Sequence, residues 1–398
     1  MKKEILYILL VLISVACNST KEEKKKIKNG DIVSISITDM ETSYGKLSDF
    51  AKEIKMIPLE FNDDCILGEI EKIVMSDDCI FIMERDNRKG IYVFDHMGKY
   101  LYKIGNRGQG PEEFVDLSDF SLNEEERLIY LYDLARTKVL VFSYEGDFIK
   151  DIQMNYYADK FEYQNGLFYL YRENVVYGDP LYSLVIKNDK GETVNKYYPV
   201  IEKSSYIHDC IFRKLDNEIL FAEHMRDSIF TIKGKELVPK YFIDYKGESM
   251  SPVDRESILK GTRISLTVLL ESKKMAGIKD VFEINDKVFV NNIHIVIPKF
   301  TVYDKKAKEV KTYSHILNDF LFIDFDHPIG QYKDYLIAIG GQEYLETTIG
   351  EGFEYLQKEK HLTVERAEEL RNMIKERFPD RNKLGETNPI IFLLKVKK

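Results

Sequence analysis

The chain has no tryptophan, only four cysteines and ten prolines among 398 residues. Without Trp, a standard sugar-stacking platform would have to be built from Tyr instead. Few Cys exclude a disulfide-dense small scaffold, and Cys and His spacings match no zinc site. Positive charge is also in deficit: 58 Lys and Arg stand against 67 Asp and Glu, a formal net charge of −9. An acidic chain lacks the dense cationic surface that neutralises phosphates, so nucleic acid is excluded as a general partner. There is no Gly-x-Ser-x-Gly elbow and no His-Glu-x-x-His pair, the marks of two common hydrolase classes. No cofactor is implied.

What is present is strand-forming. The composition is 44% hydrophobic, and 26 Tyr and 23 Phe make up all of its aromatic content. Such residues fit pleated, half-buried surfaces.

The one long apolar run is at the N-terminus. Lys2 and Lys3 precede Ile5 to Ala16, which stops at Cys17. A basic start, an apolar run and a small residue before the cut form a secretory signal, and the run is too short for an ordinary spanning helix. Cys17 directly after Ala16 resembles a bacterial lipobox, although Ser14 stands where Leu is preferred. Residues 1–16 are expected to be a lipoprotein signal peptide and Cys17 the lipidated residue, giving a membrane anchor that does not span. An ordinary signal peptide with an incidental Cys is the alternative. Residues 17–30 read as a charged tether. Its Lys21-Glu22-Glu23 resembles the signal that sends Bacteroidetes lipoproteins to the outer face of the outer membrane, so both periplasmic and surface-exposed positions are open. Cys65 and Cys79 flank one strand and could pair; two buried, unpaired thiols are the alternative.

From about residue 54 short apolar runs alternate with turn signals. Ile70–Met75, Ile80–Glu84, Ile91–Phe94 and Tyr100–Ile104 form one meander of four; Leu117–Leu122, Leu128–Asp133, Val139–Phe142 and Phe148–Ile152 form the next. The turn glycines Gly98, Gly146, Gly191 and Gly234 fall 48, 45 and 43 residues apart. A period in the forties with four strands per unit predicts β-propeller blades. A fifth unit has Ala307 where Gly stood. A sixth is expected to begin at Phe320–Phe325, continue with Tyr335–Ile339 and resume at Ile390–Val396. Its missing fourth strand can come from Ile54–Leu59, which would close the ring and hide its edges. Six blades over residues 31–398 fit the count, with insertions at 244–278 and 340–388.

Between the first two units lies Ile104-Gly105-Asn106-Arg107-Gly108-Gln109-Gly110-Pro111-Glu112-Glu113-Phe114. Together with Phe94-Asp95-x-x-Gly98, it resembles the Gly-x-Gly-Pro-Gly-Glu-Tyr/Phe motif of the six-bladed, NHL-like β-propeller lipoproteins of Bacteroidetes. Glu112 replaces the last Gly, so that position should not demand positive φ. The resemblance spans about residues 17–398 and implies an all-β propeller in the cell envelope.

Loops after second strands and between blades share one face of a propeller, and both insertions fall there. Val364, Ala367, Leu370, Ile374 and Phe378 form a helical stripe in the second insertion, and Leu345, Ile349, Phe353 and Leu356 another. These stripes either pack onto the propeller or form a lid. Arg85, Arg88, Arg136, Arg172 and Arg226 all follow second strands, and Arg107 lies in the connector motif. Arg suits bidentate contact with carboxylate, phosphate or sulfate. The candidate site is therefore an Arg-lined face binding an acidic glycan or a peptide; salt bridges to neighbouring Asp and Glu are the plain structural alternative. His224 and His294 follow second strands on the same face. Related propellers that act as lactonases or lyases use His, Glu or Asp around a central metal, so the second functional reading is a metal-assisted hydrolase or lyase at the central channel. Asp324-Phe325-Asp326-His327 gathers carboxylates and an imidazole, for which surface solvation is the simpler account. The leading expectation is a lipid-anchored, non-catalytic envelope protein that binds a glycan or peptide, or scaffolds an envelope partner protein.

Overall fold

The computed structural model describes residues 32–37, 43–84, 90–172, 182–199, 210–223, 226–251, 253, 274–294, 298–323, 327–341, 345, 348–377 and 387–398. The chain forms a six-bladed β-propeller. Blades are named one to six, and their strands A to D from the axis outward. Blade one is Ile70–Met75, Ile80–Glu84, Ile91–Phe94 and Tyr100–Ile104; blade two is Leu117–Asn123, Leu128–Asp133, Lys138–Ser143 and Phe148–Gln153. Blade three is Lys160–Gln164, Leu167–Tyr171, Tyr182–Asn188 and Thr193–Pro199; blade four is Cys210–Lys214, Ile219–Glu223, Ser228–Lys233 and Glu236–Asp244. Blade five is Met275–Ile284, Lys287–His294, Lys299–Asp304 and Glu309–Tyr313. Its strand A begins at Met275, inside the span expected to be insertion.

Blade six corrects one expectation. Its strand A is Gly330–Tyr332, not the run at Phe320–Phe325. Residues 320–321 lie in a turn, and Phe322 has φ +56°. Asn318 organises this turn: its Oδ1 accepts from the amides of Phe320 (3.3 Å) and Leu321 (3.2 Å), and its Nδ2 donates to the Ile323 carbonyl at 2.8 Å. Strand B is Tyr335–Gly340, strand C is Ile390–Val396, and strand D is the N-terminal Ala51–Pro58. The last pair is antiparallel, with Met56 opposite Phe392. The ring therefore closes with its own N-terminal strand, as the missing fourth strand required.

The core is six clusters, one per interface between blades. Side chains alternate sides along a strand. Phe81 and Met83 enter the cluster shared with blade two, while Ile80 and Ile82 enter the cluster shared with blade six. Both faces of an inner strand are thus buried, which is why these strands read as nearly continuous apolar runs. The insertion helices, Phe353–Lys358 and Val364–Arg377, belong to the same scheme. Leu345, Ile349, Phe353, Ala367, Leu370 and Ile374 join the cluster between blades five and six, so the stripes pack onto the propeller. Val364 is exposed, and Phe378 lies outside the described residues.

Among the described residues, three further short strands escaped sequence reading. Val33–Ser36 adds in parallel to strand D of blade four, Val33 opposite Tyr241. Tyr44–Lys46 pairs in parallel with His315–Leu317 beyond blade five. Cys65 and Cys79 are free and buried, and burial pushes both thiols up, so the pairing considered from sequence is not formed.

The turn glycines share positive φ. In blades one and three the turn between strands C and D also leans on the end of strand D of the preceding blade. A Cβ at Gly98 would stand 2.0 Å from the Pro58 carbonyl oxygen, and one at Gly191 2.0 Å from that of Gln153. In blade five, where Ala307 replaces Gly, the positive φ falls on the next residue, Lys308 (+57°).

Candidate functional site

The A strands form the wall of the axis, and their polar side chains bridge it. Lys160 of blade three reaches Glu71 of blade one at 2.5 Å. Lys214 of blade four donates to the Leu122 carbonyl of blade two at 2.7 Å. Arg213 of blade four donates to the Ile329 carbonyl at the start of blade six (3.1 Å) and pairs with Asp280 of blade five. Three of these contacts skip a blade, so they cross the axis rather than follow the wall. Adjacent blades are joined as well: Lys72 pairs with Asp119 at 2.8 Å, and Asp119 accepts from the Phe161 amide at 2.8 Å. Buried charges are retained where such partners satisfy them. Among the described residues no group of three or more His, Cys, Asp or Glu is placed to hold a metal ion.

The loop face is built differently. Its best-defined part is the connector from Gly105 to Phe114. Phe114 is wholly buried between blades one and two. Glu113 folds back, and its carboxylate accepts from the Gly110 amide at 2.7 Å. A Cβ at Gly108 would lie 2.0 Å from that carboxylate, so a side chain there would displace the Glu113 carboxylate from this position. Glu112 does not have positive φ, as its replacement of Gly implied. Among the described residues no helix N-terminus faces this loop, which packs as a connector between blades one and two.

The predicted cations fall into distinct settings. Arg136 holds the connector: it donates to the Glu113 carbonyl (2.7 Å), the Gly110 carbonyl (3.2 Å) and Gln109 Oε1 (3.2 Å). Arg172 is buried, its guanidinium 5.3 Å from the centre of the Tyr157 ring. Arg107 is exposed and donates through Nε to the Val115 carbonyl at 3.2 Å. Arg226 has a side chain 46% exposed, with Nε 4.0 Å from Glu223. His294 ends strand B of blade five, half-buried and paired with Met275. Arg85, Arg88, His224 and Cys17 lie outside the described residues, as do most of 244–278 and Asp324 to Asp326.

Acidic residues at the ends of B strands were missed as a group. Asp133 accepts from the amides of Val115 and Asp116, both at 3.1 Å. Glu84 accepts from the Gly68 amide at 3.0 Å. In blades one and two the same position thus ties down the chain entering strand A of its own blade. Glu223 is the counterpart in blade four and accepts from the Tyr171 hydroxyl at 3.0 Å. Burial pushes its carboxyl above the ordinary range, against the opposing pull of Arg226 and Tyr171. The detectable signal was an acid ending the second run of three units, one to three residues before the arginines that drew attention.

These features define a six-bladed propeller with a bridged axis and a loop face braced by carboxylates. The chain belongs to the family described as Domain of unknown function (DUF4934), which it matches over residues 32–395. A presumed exported protein of Bacteroides fragilis, 19% identical, superposes with a TM-score of 0.72 over 92% of this chain and 100% of its own. A DUF4221 family member from Bacteroides vulgatus is 10% identical, with a TM-score of 0.49 over 87% of this chain and 97% of its own. Virginiamycin B lyase from Staphylococcus aureus is 13% identical, with a TM-score of 0.38 over 72% and 81%. At these identities the likeness concerns fold alone. No curated protein matches the sequence.

Proposed function

We propose that this protein is a binding or scaffold propeller of the bacterial envelope, lipid-anchored in the outer membrane through Cys17. Its ligand is an acidic glycan or a peptide, or its partner an envelope protein, engaged at the loop face. One observation carries the reading. The cations bridging the axis are committed to other blades, whereas Arg107 and Arg226 stand exposed on the loop face. Exposed guanidiniums suit carboxylate or sulfate recognition. The name of the Bacteroides fragilis relative supports export.

The double variant Arg107→Ala, Arg226→Ala tests the site. A panel of acidic oligosaccharides and peptides is screened by thermal shift, and any ligand that stabilises the parent is titrated against the variant. The expected loss is about tenfold or more in affinity, with an unchanged melting temperature in the absence of ligand. Equal affinity in parent and variant would move the site elsewhere. The anchor is tested separately: Cys17→Ala should shift the protein from the membrane to the soluble fraction on cell fractionation.

A further inference from the structure

The connector from blade two to blade three is fastened on both sides of one residue. Met154 and Ala158 are wholly buried, and the Ala158 carbonyl accepts from Ser118 Oγ at 2.9 Å. Tyr156 is tied at two points: its hydroxyl donates to the Tyr182 carbonyl at 2.6 Å, and its carbonyl accepts from the Tyr132 hydroxyl. Between them Tyr157 is 47% exposed. Its ring is also held, because the buried Arg172 guanidinium sits over it, 5.3 Å from the ring centre, within the range of a cation–π contact. The exposure therefore lies on the opposite face and the edge. A single exposed aromatic on a loose loop needs no explanation. One fixed in backbone and ring has already lost the freedom that binding would otherwise take from it.

We propose that Tyr157 is a stacking platform for a pyranose ring, which makes the ligand of the loop face a glycan rather than a peptide. The connector runs between blades and so lies on the same face as the one carrying Arg107. The chain has no tryptophan, so tyrosine supplies the platform. A pyranose offers a flat face of C–H groups about as large as one aromatic ring, and its hydroxyls stay at the edge, in water. Covering those C–H groups with the open face of Tyr157 needs neither a recess nor a charge. Asn155, exposed two residues earlier, puts an amide on the same connector, with a donor and an acceptor for sugar hydroxyls. The platform rests on the loop face being the binding face proposed above, but it does not need the arginines.

The test is calorimetric titration of the purified full chain with oligosaccharide fragments of polygalacturonate, hyaluronan and heparin. Saturable binding of at least one is expected, weakened about tenfold by Tyr157→Ala and within about twofold of the parent in Tyr157→Phe, which keeps the ring. Tyr157→Trp places the only indole of the chain at the platform. Its emission should shift as that oligosaccharide saturates, and this readout does not depend on how Tyr157→Ala folds. Three results would overturn the proposal: no oligosaccharide bound up to roughly 10 mM, affinity unchanged by Tyr157→Ala, or Tyr157→Trp emission unmoved at saturation. Peptide binding without glycan binding also overturns it, while leaving the loop face as the binding face. Glycan affinity lost in Tyr157→Ala but kept in Arg107→Ala, Arg226→Ala would sink the arginine site and leave the platform standing.

Discussion

Gly98, Gly146, Gly191 and Gly234 look equivalent in sequence, and all four have positive φ. Their surroundings separate them. Gly98 and Gly191 press against the carbonyls of Pro58 and Gln153, whereas a Cβ at Gly146 would meet nothing nearer than 3.8 Å and one at Gly234 nothing within 4 Å. Gly146→Ala and Gly234→Ala should cost about 1–2 kcal/mol, the conformational penalty alone. Gly98→Ala and Gly191→Ala should cost about 3 kcal/mol or more, because the backbone must also move. Urea denaturation of the four variants checks the split. A second prediction concerns Asp304. The Lys287 ammonium at 2.8 Å, helped by the Ala307 and Lys306 amides, lowers its pKa from 3.8 to about 2. A depressed native pKa gives stability that is present above the unfolded value and lost as pH falls through the native one. Stability should therefore decline between about pH 4 and pH 2, and Lys287→Met should flatten that limb in denaturation at stepped pH. At this scale the sequence was half legible. The turn glycines announced themselves by spacing, but the distinction between them depends on the blade next door. Sequence put Arg136 after a second strand as a candidate ligand contact, whereas its grip on two connector carbonyls arises only once residues 26 and 23 positions apart are brought together.

Strands were more legible than side-chain partners. Blade one carries a Gly, Asp or Asn break at each turn, and its four strands lie where the runs of Ile, Val, Phe and Tyr put them. Blade six failed at its first strand for a definable reason. The apolar run at Phe320 is buried as a turn around Asn318, while Gly330–Tyr332 is three residues long and opens on glycine, so it has neither length nor hydrophobicity to mark it. Propensity and burial point the wrong way together when a loop rather than a strand fills an interface. The helical stripe of the second insertion was legible because its period is long enough to register. Leu370 is 1% exposed in the interface of blades five and six. Leu370→Ala should cost about 2–5 kcal/mol, whereas Val364→Ala, on the exposed start of the same helix, should stay within about 0.5 kcal/mol. Guanidinium denaturation of the two variants compares a packed helix with a loosely lying lid, for which both values would be small.

The whole molecule depends on the interfaces between blades, each filled by its own buried cluster. Blades four and five are joined outside the axis by Lys240, which bonds to Glu218 and lies 2.7 Å from Glu283; Lys305 adds a second contact to Glu283 at 2.8 Å. Burial opposes ionisation of both carboxyls, but these lysines outweigh it and hold them below the ordinary range. The closing strand completes the ring in the same way that each blade meets the next, with Met56 on one side and Ile57 on the other. The N-terminal route to that strand has a mechanical consequence. Before reaching Ala51, the chain is clipped to blade four by Val33–Ser36 and beyond blade five by Tyr44–Lys46. Tension arriving from the residue 32 end loads these two short clips in series, ahead of the clasp. Being short and outside the ring, they would yield before the clasp does, so a pull that peels them frees that length of chain and leaves the ring shut.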